Sequence, residues 1–156
     1  MRRAELGPAA SDLEGFRLGF ELCAAGREWD AHEVWEELWK ARRGTPDGAL
    51  LRGLIQWAAA GVKLKAERLS GALSLVDKAL ATWGELPGRM VFDGGLPGES
   101  AAFAGGRGAE GSGSAVGRGE AAGAASFDVD AARAVLREWC ASEGAWPLPL
   151  PTLEGA

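Results

Sequence analysis

One long apolar segment constrains the fold of this chain more than any other feature. The run LLRGLIQWAAAGVKLKAERL, residues 50–69, is apolar around most of its circumference when it is drawn as a helix. Its main polar stripe is narrow and is formed by Arg52, Gln56, Lys63 and Glu67. A helix of this kind needs neighbours on several sides. The sequence therefore predicts a central helix, from Asp47 to about Arg68, inside a bundle.

Apolar residues at helical spacing predict the neighbours of this helix. A first helix follows a capping box of Ser11 and Glu14, and a second begins at Asp30 and ends before Pro46. Ser70 can cap a fourth helix, and Asp128 begins a last one. No strand alternation is evident anywhere. We predict an all-α, single-domain bundle of about five helices, with a Gly-rich disordered loop before the last helix.

Composition divides the chain into five parts. Residues 94–126 are rich in Gly, Ala and Ser, too poor in apolar side chains to offset the entropy of ordering, and are expected to form a flexible loop. The segment 143–156 has proline at alternate positions and is expected to be extended, lying over its own bundle or serving as a ligand for another protein. The other parts are an N-terminal extension, a four-helix core and the last helix, at residues 1–10, 11–93 and 127–142.

The net charge and the cysteine content limit the classes of binding partner and the cellular compartment that we expect. The formal net charge of -5 argues against nucleic acid and against an anionic membrane, because both select basic surfaces. No apolar run reaches the ~18 residues of a membrane-spanning helix. Cys23 and Cys140 form no Cys-x-x-Cys motif, so a reducing compartment suits them and we expect a cytoplasmic protein.

The segment WDAHEVWEELW, residues 29–39, carries the groups best suited to chemistry. His32 and Glu36 are one helical turn apart, so they can share a cation, and a divalent metal is the cofactor they suggest. Glu33 is then the candidate general base for a metal-bound water. The alternative interpretation is structural: His32 donates to Glu36, and Glu33 completes a capping box with Asp30.

The central helix offers two supporting polar residues. Gln56 lies between Ile55 and Trp57, and a buried amide must find hydrogen-bond partners. We hypothesise that Gln56, together with Arg52, faces His32 and Glu36. The alternative is a partly exposed amide and a solvated guanidinium. Because the chain has one histidine, a third metal ligand would have to be a carboxylate or an amide.

The chain resembles the small helical family called domain of unknown function 309. The resemblance rests on FELCAAGREWDAHEVWEELW, LLRGLIQWAAA and Ser-Gly-Ala, residues 20–39, 50–60 and 70–72, and it covers roughly residues 12–85. It implies an all-α bundle, an intracellular location and a label of metal-dependent hydrolase. His32, Glu33, Glu36 and Gln56 match the family's polar positions. Members often carry another histidine along the long helix, where this chain has Val62 and Lys63.

Two functional hypotheses follow from these residues. In the first, the protein is a metal-dependent hydrolase that acts on an unknown small molecule, with His32 and Glu36 as ligands and Glu33 as base. In the second, it is a non-catalytic binding or oligomerisation module, in which the cluster of His32, Glu36 and Gln56 is a structural hydrogen-bond network. Under the second hypothesis, the partner can be another copy of the same chain in a homo-oligomer.

Overall fold

In the part of the chain that the structure describes, five helices and a two-stranded ribbon form a mostly helical single domain. A computed structural model describes residues 8–94 and 124–154 of the chain. The elements in chain order are α1 (Pro8–Ala24), α2 (Glu28–Lys40), α3 (Pro46–Lys65), α4 (Leu69–Thr82), β1 (Arg89–Phe92), β2 (Ala125–Asp128) and α5 (Val129–Ala141). Helix α3 packs against both α2 and α4, while α1 covers α2 and α5 covers α4. The predicted central helix and all-α class are confirmed.

Tryptophan and glycine set the spacing between helices. The indole of Trp35 on α2 lies so close to Gly19 on α1 that a Cβ there would overlap it, and Trp83 lies equally close to Gly53 on α3. Both indoles are fully buried. Each needs an acceptor for its N–H, and each finds a backbone carbonyl of the neighbouring helix: Trp35 donates to Phe16 O at 3.0 Å and Trp83 to Leu50 O at 3.2 Å.

Several predicted helix starts were wrong. Helix α1 begins at Pro8, so Ser11 lies inside it rather than at its cap. Helix α2 begins at Glu28 after Arg27, and the Asp30 carboxylate accepts a hydrogen bond from Arg27 Nε at 2.8 Å instead of capping the helix. Because α2 begins two residues before Asp30, this residue lies in the first turn and not at the N-cap. Asp128 does cap α5, accepting from Ala131 N at 2.9 Å.

The structure also corrects the expectation that no strand is present. β1 and β2 pair antiparallel, with Arg89 opposite Asp128 and Phe92 opposite Ala125. Strands of four residues are too short for alternation to stand out in a sequence. β2 also lies partly inside the segment 94–126 that was predicted to be a loop. Most of that segment is outside the described residues.

The C-terminal segment lies over the bundle, which is one of the two predicted arrangements. Trp57 Nε1 on α3 donates to Pro149 O at 2.9 Å, and Trp139 Nε1 on α5 donates to Trp146 O at 2.7 Å. Beyond these contacts, Glu154 N donates to Ser126 O at 3.1 Å beside β2. The segment from residue 145 to residue 153 has neither helix nor strand, so these bonds are what fix its path.

Two glycines of α1 test the close packing of Trp35. We expect Gly19→Ala to lower the free energy of unfolding by about 1–3 kcal/mol, because the added methyl group must displace the indole. Gly15→Ala is the matched control, since its Cβ would meet Leu38 at an ordinary 3.7 Å. Better helix propensity should make that variant neutral or more stable by up to about 1 kcal/mol. Urea denaturation measures both, and equal effects would contradict the packing.

Candidate functional site

The structure places His32 and Glu36 side by side without a hydrogen bond between them. His32 Nδ1 lies 4.0 Å from Glu36 Oε1, beyond hydrogen-bonding distance. The imidazole is 19% exposed and stacks on Trp29, with ring centroids 4.9 Å apart and planes 7° from parallel. Nδ1 is buried and has no hydrogen-bond partner among the described residues. The structural network predicted for this pair therefore lacks its central bond.

The other predicted site residues point elsewhere. Glu33 is exposed and lines a groove of about 640 Å³ between α1 and α2, to which neither His32 nor Glu36 contributes. Gln56 Oε1 accepts from Thr82 Oγ1 on α4 at 2.9 Å, which corrects the expectation that this amide bonds to α2. The reason is its position one turn after Gly53, on the α4 face of the helix. Arg52 is exposed.

These positions do not fit the metal that the family label implies. Within residues 8–94 and 124–154, no three His, Cys, Asp or Glu side chains are grouped closely enough to hold a metal ion. His32 and Glu36 together supply two donors, whereas protein metal centres commonly use three or more. The metal-ligand roles of His32 and Glu36 and the catalytic role of Glu33 stay predictions.

A different cleft has the features of a ligand site. It has a volume of about 470 Å³ and lies between the bundle and the C-terminal segment. One wall is the C-terminal segment from Gly144 to Pro151, and the floor comes from α3 and the end of α1. Three of the seven tryptophans of the chain contribute to its lining, namely Trp57, Trp139 and Trp146. We call this space the C-terminal cleft.

The polar groups of the C-terminal cleft are a buried carboxylate, its exposed lysine partner and a thiol. Glu28 is 9% exposed, and its Oε1 accepts from Lys65 Nζ at 2.6 Å. Lys65 also donates to Gly26 O, so the pair ties the start of α2 to the end of α3. Burial raises the pKa of the Cys23 thiol to about 12, with the Glu28 charge adding to the rise and Lys65 opposing it. The thiol is therefore protonated at neutral pH.

A second buried charge, Arg42, was missed by the sequence analysis. It is 1% exposed, and its guanidinium donates to Asp12 Oδ2 at 3.0 Å, to Leu38 O and to Gly94 O. It also lies over the Phe92 ring. Burial raises the pKa of Asp47, against the attraction of Arg42. This network joins α1, the α2–α3 connection and the end of β1, which is a structural role.

One glycine in the sequence weakly indicates that another helix approaches α3 near the Glu28–Lys65 pair. Gly61 sits in the interior of α3, where glycine weakens a helix. A Cβ at that position would lie only 3.0 Å from Glu28 Cγ. The glycine thus lets α2 bring a carboxylate against α3. Glu28 and Lys65 are on different helices, which meet only in the folded chain. The spacing of residues along the sequence therefore does not predict the pair.

Comparison with known proteins supports the family resemblance. Residues 16–75 match the model of the family described as Domain of unknown function (DUF309). This range contains all of α2 and α3, including His32, but not the C-terminal segment that covers the cleft. No curated protein and no solved structure matches the chain. No helix in the described parts of the chain has the length and apolar character needed to cross a membrane.

The two thiols should differ in reactivity. Cys23 is buried and its pKa is about 12, whereas Cys140 is half-buried and its pKa is raised less. At about pH 8 a thiol-specific disulfide reagent should therefore modify Cys140 first and Cys23 only on unfolding. Because the folded pKa of Cys23 exceeds its ordinary value of 9.0, the thiol's stabilisation of the fold is lost as the pH rises from 9.0 towards 12.

Single substitutions of the two cysteines show which thiol reacts first with the reagent. Cys140→Ser should remove the fast phase, and Cys23→Ser should keep it. A fast phase that survives in Cys140→Ser would mean that Cys23 is accessible through the cleft.

Proposed function

We propose that this protein is a non-catalytic binding module of the cytoplasm whose partner is a small molecule held in the C-terminal cleft. The observation that carries the proposal is the cleft itself, at about 470 Å³. Small-molecule sites fall in the range of about 300–1,000 Å³ and combine apolar walls with a few placed polar groups. Indoles, prolines and leucines form the walls here, and Glu28 with Lys65 supplies the polar groups.

The chemistry of the cleft supports binding rather than catalysis. Its carboxylate is engaged by Lys65, and its thiol is held in the protonated form by burial. A nucleophile needs a neighbouring base or a lowered pKa, and Cys23 has the opposite shift. The location in the cytoplasm is supported by the two free thiols, which suit a reducing environment.

Fragment binding followed by NMR tests the proposal on the full chain. A set of small aromatic fragments at millimolar concentration should shift the indole N–H signals of Trp57 and Trp139, which line the cleft. The Trp35 indole, bonded to Phe16 O in the core, should not shift. Trp146→Ala should weaken binding several-fold, since its indole forms part of the cleft lining.

Trp29→Ala is the control, because both indoles are about half exposed but Trp29 lies on His32, outside the cleft. Shifts confined to other parts of the chain, or no binding by any fragment, would overturn the proposal.

One observation favours the metal-dependent hydrolase as a second candidate: the buried Nδ1 of His32 has no hydrogen-bond partner among the described residues. An imidazole nitrogen in this state is chemically suited to a metal. Elemental analysis of protein purified without a metal-affinity tag, alongside His32→Ala, separates the two candidates. We expect no stoichiometric metal in either sample. Stoichiometric metal that His32→Ala loses would favour the hydrolase.

A further inference from the structure

We infer that the ligand of the C-terminal cleft is an organic cation, an amine attached to an apolar body, and this inference rests on the proposed function. The juxtaposition that carries it is a buried carboxylate, Glu28, at the base of a cleft lined by Trp57, Trp139 and Trp146.

The cleft has few free hydrogen-bond donors. Three residues of its C-terminal wall, Pro147, Pro149 and Pro151, carry no backbone N–H. The N–H groups of Trp57 and Trp139 are already bonded to carbonyls of the same wall. A ligand that accepts hydrogen bonds therefore meets mainly the Lys65 ammonium and the Trp146 indole N–H, whereas a ligand that donates meets a buried carboxylate and backbone carbonyls.

Among the acceptors of the cleft, the Glu28 carboxylate should contribute most to the binding of a cationic ligand. Its side chain is 10% exposed, while that of its partner Lys65 is 57% exposed. The hydrogen bond from Lys65 reaches Oε1, and Oε2 lies beside Gly61, within the cleft lining. A buried carboxylate requires a cation. Because the Lys65 side chain is solvent-exposed, a ligand ammonium can reach Glu28 and share it with Lys65 or replace Lys65 there.

The walls favour the same ligand class. Indole rings attract cations through their electron-rich faces, most strongly where water is excluded. The apolar part of the ligand would bury itself against Leu64, Leu148 and the prolines. An anionic ligand would depend on Lys65 alone, and its charge would lie next to the Glu28 carboxylate.

Three probes of equal length test the charge preference: 4-phenylbutylamine, 4-phenylbutanol and 4-phenylbutyrate. Dissociation constants come from NMR titration of the full chain at the Trp57 and Trp139 indole signals. We expect the amine to bind roughly tenfold more tightly than the alcohol, and the carboxylate to bind most weakly. High salt should reduce the difference.

Variants assign the preference to the ion pair. Glu28→Gln should abolish the advantage of the amine over the alcohol, and Lys65→Gln should increase it several-fold by removing the competing ammonium. Lys65 is exposed, so its variant stays informative if Glu28→Gln fails to fold. Glu37→Gln is the control for net charge, because Glu37 pairs with Lys40 at an exposed position outside the cleft. It should leave all three constants unchanged.

The outcomes separate the two proposals. Equal affinity of the three probes, or tightest binding of the carboxylate, would overturn the cation inference and leave the binding function standing. If none of the three probes binds, and no aromatic fragment binds either, both proposals would be overturned. A preference for the amine that persists in Glu28→Gln would show that the carboxylate does not recognise it.

Discussion

The buried tryptophans determine this structure because each indole N–H must reach an acceptor once water is excluded. All four fully or nearly buried indoles of the described residues donate to backbone carbonyls. Trp35 joins α2 to α1, and Trp83 joins α4 to α3. Trp57 and Trp139 donate instead to the C-terminal segment. The same requirement that packs the helices therefore also holds down the segment that completes the C-terminal cleft.

Among the described residues, the two buried charged side chains each lie at a junction between secondary-structure elements. Arg42 connects α1, the end of α2 and the end of β1, and Glu28 connects the start of α2 to the end of α3. Each charge is stabilised by a partner, as burial requires. They differ in surroundings. Arg42 lies against Phe92 in the interior, whereas Glu28 borders an open cleft, and this is why only Glu28 is suited to meet a ligand.

The His-Glu segment shows how one helix can carry residues of separate roles. His32 and Glu36 share an edge of α2, Glu33 belongs to the groove on the α1 side, and Glu28 belongs to the C-terminal cleft. A helix distributes consecutive residues around its axis, so closeness in sequence does not produce a common site. Within the described residues, no third His, Cys, Asp or Glu side chain lies close enough to His32 and Glu36 to complete a metal site.

The sequence by itself determined the helices, because apolar spacing in α3 and its neighbours leaves one way to bury each stripe. It also indicated that His32 and Glu36 are neighbours along one edge of α2. The starts of α1 and α2 and the β1–β2 ribbon were not predicted correctly from the sequence. A four-residue strand depends on contacts with residues far along the chain. Only the tertiary structure decided that Gln56 bonds to Thr82 and that Glu28 meets Lys65 in a cleft closed by the C-terminal segment, because those partners lie far apart along the chain and are brought together by packing.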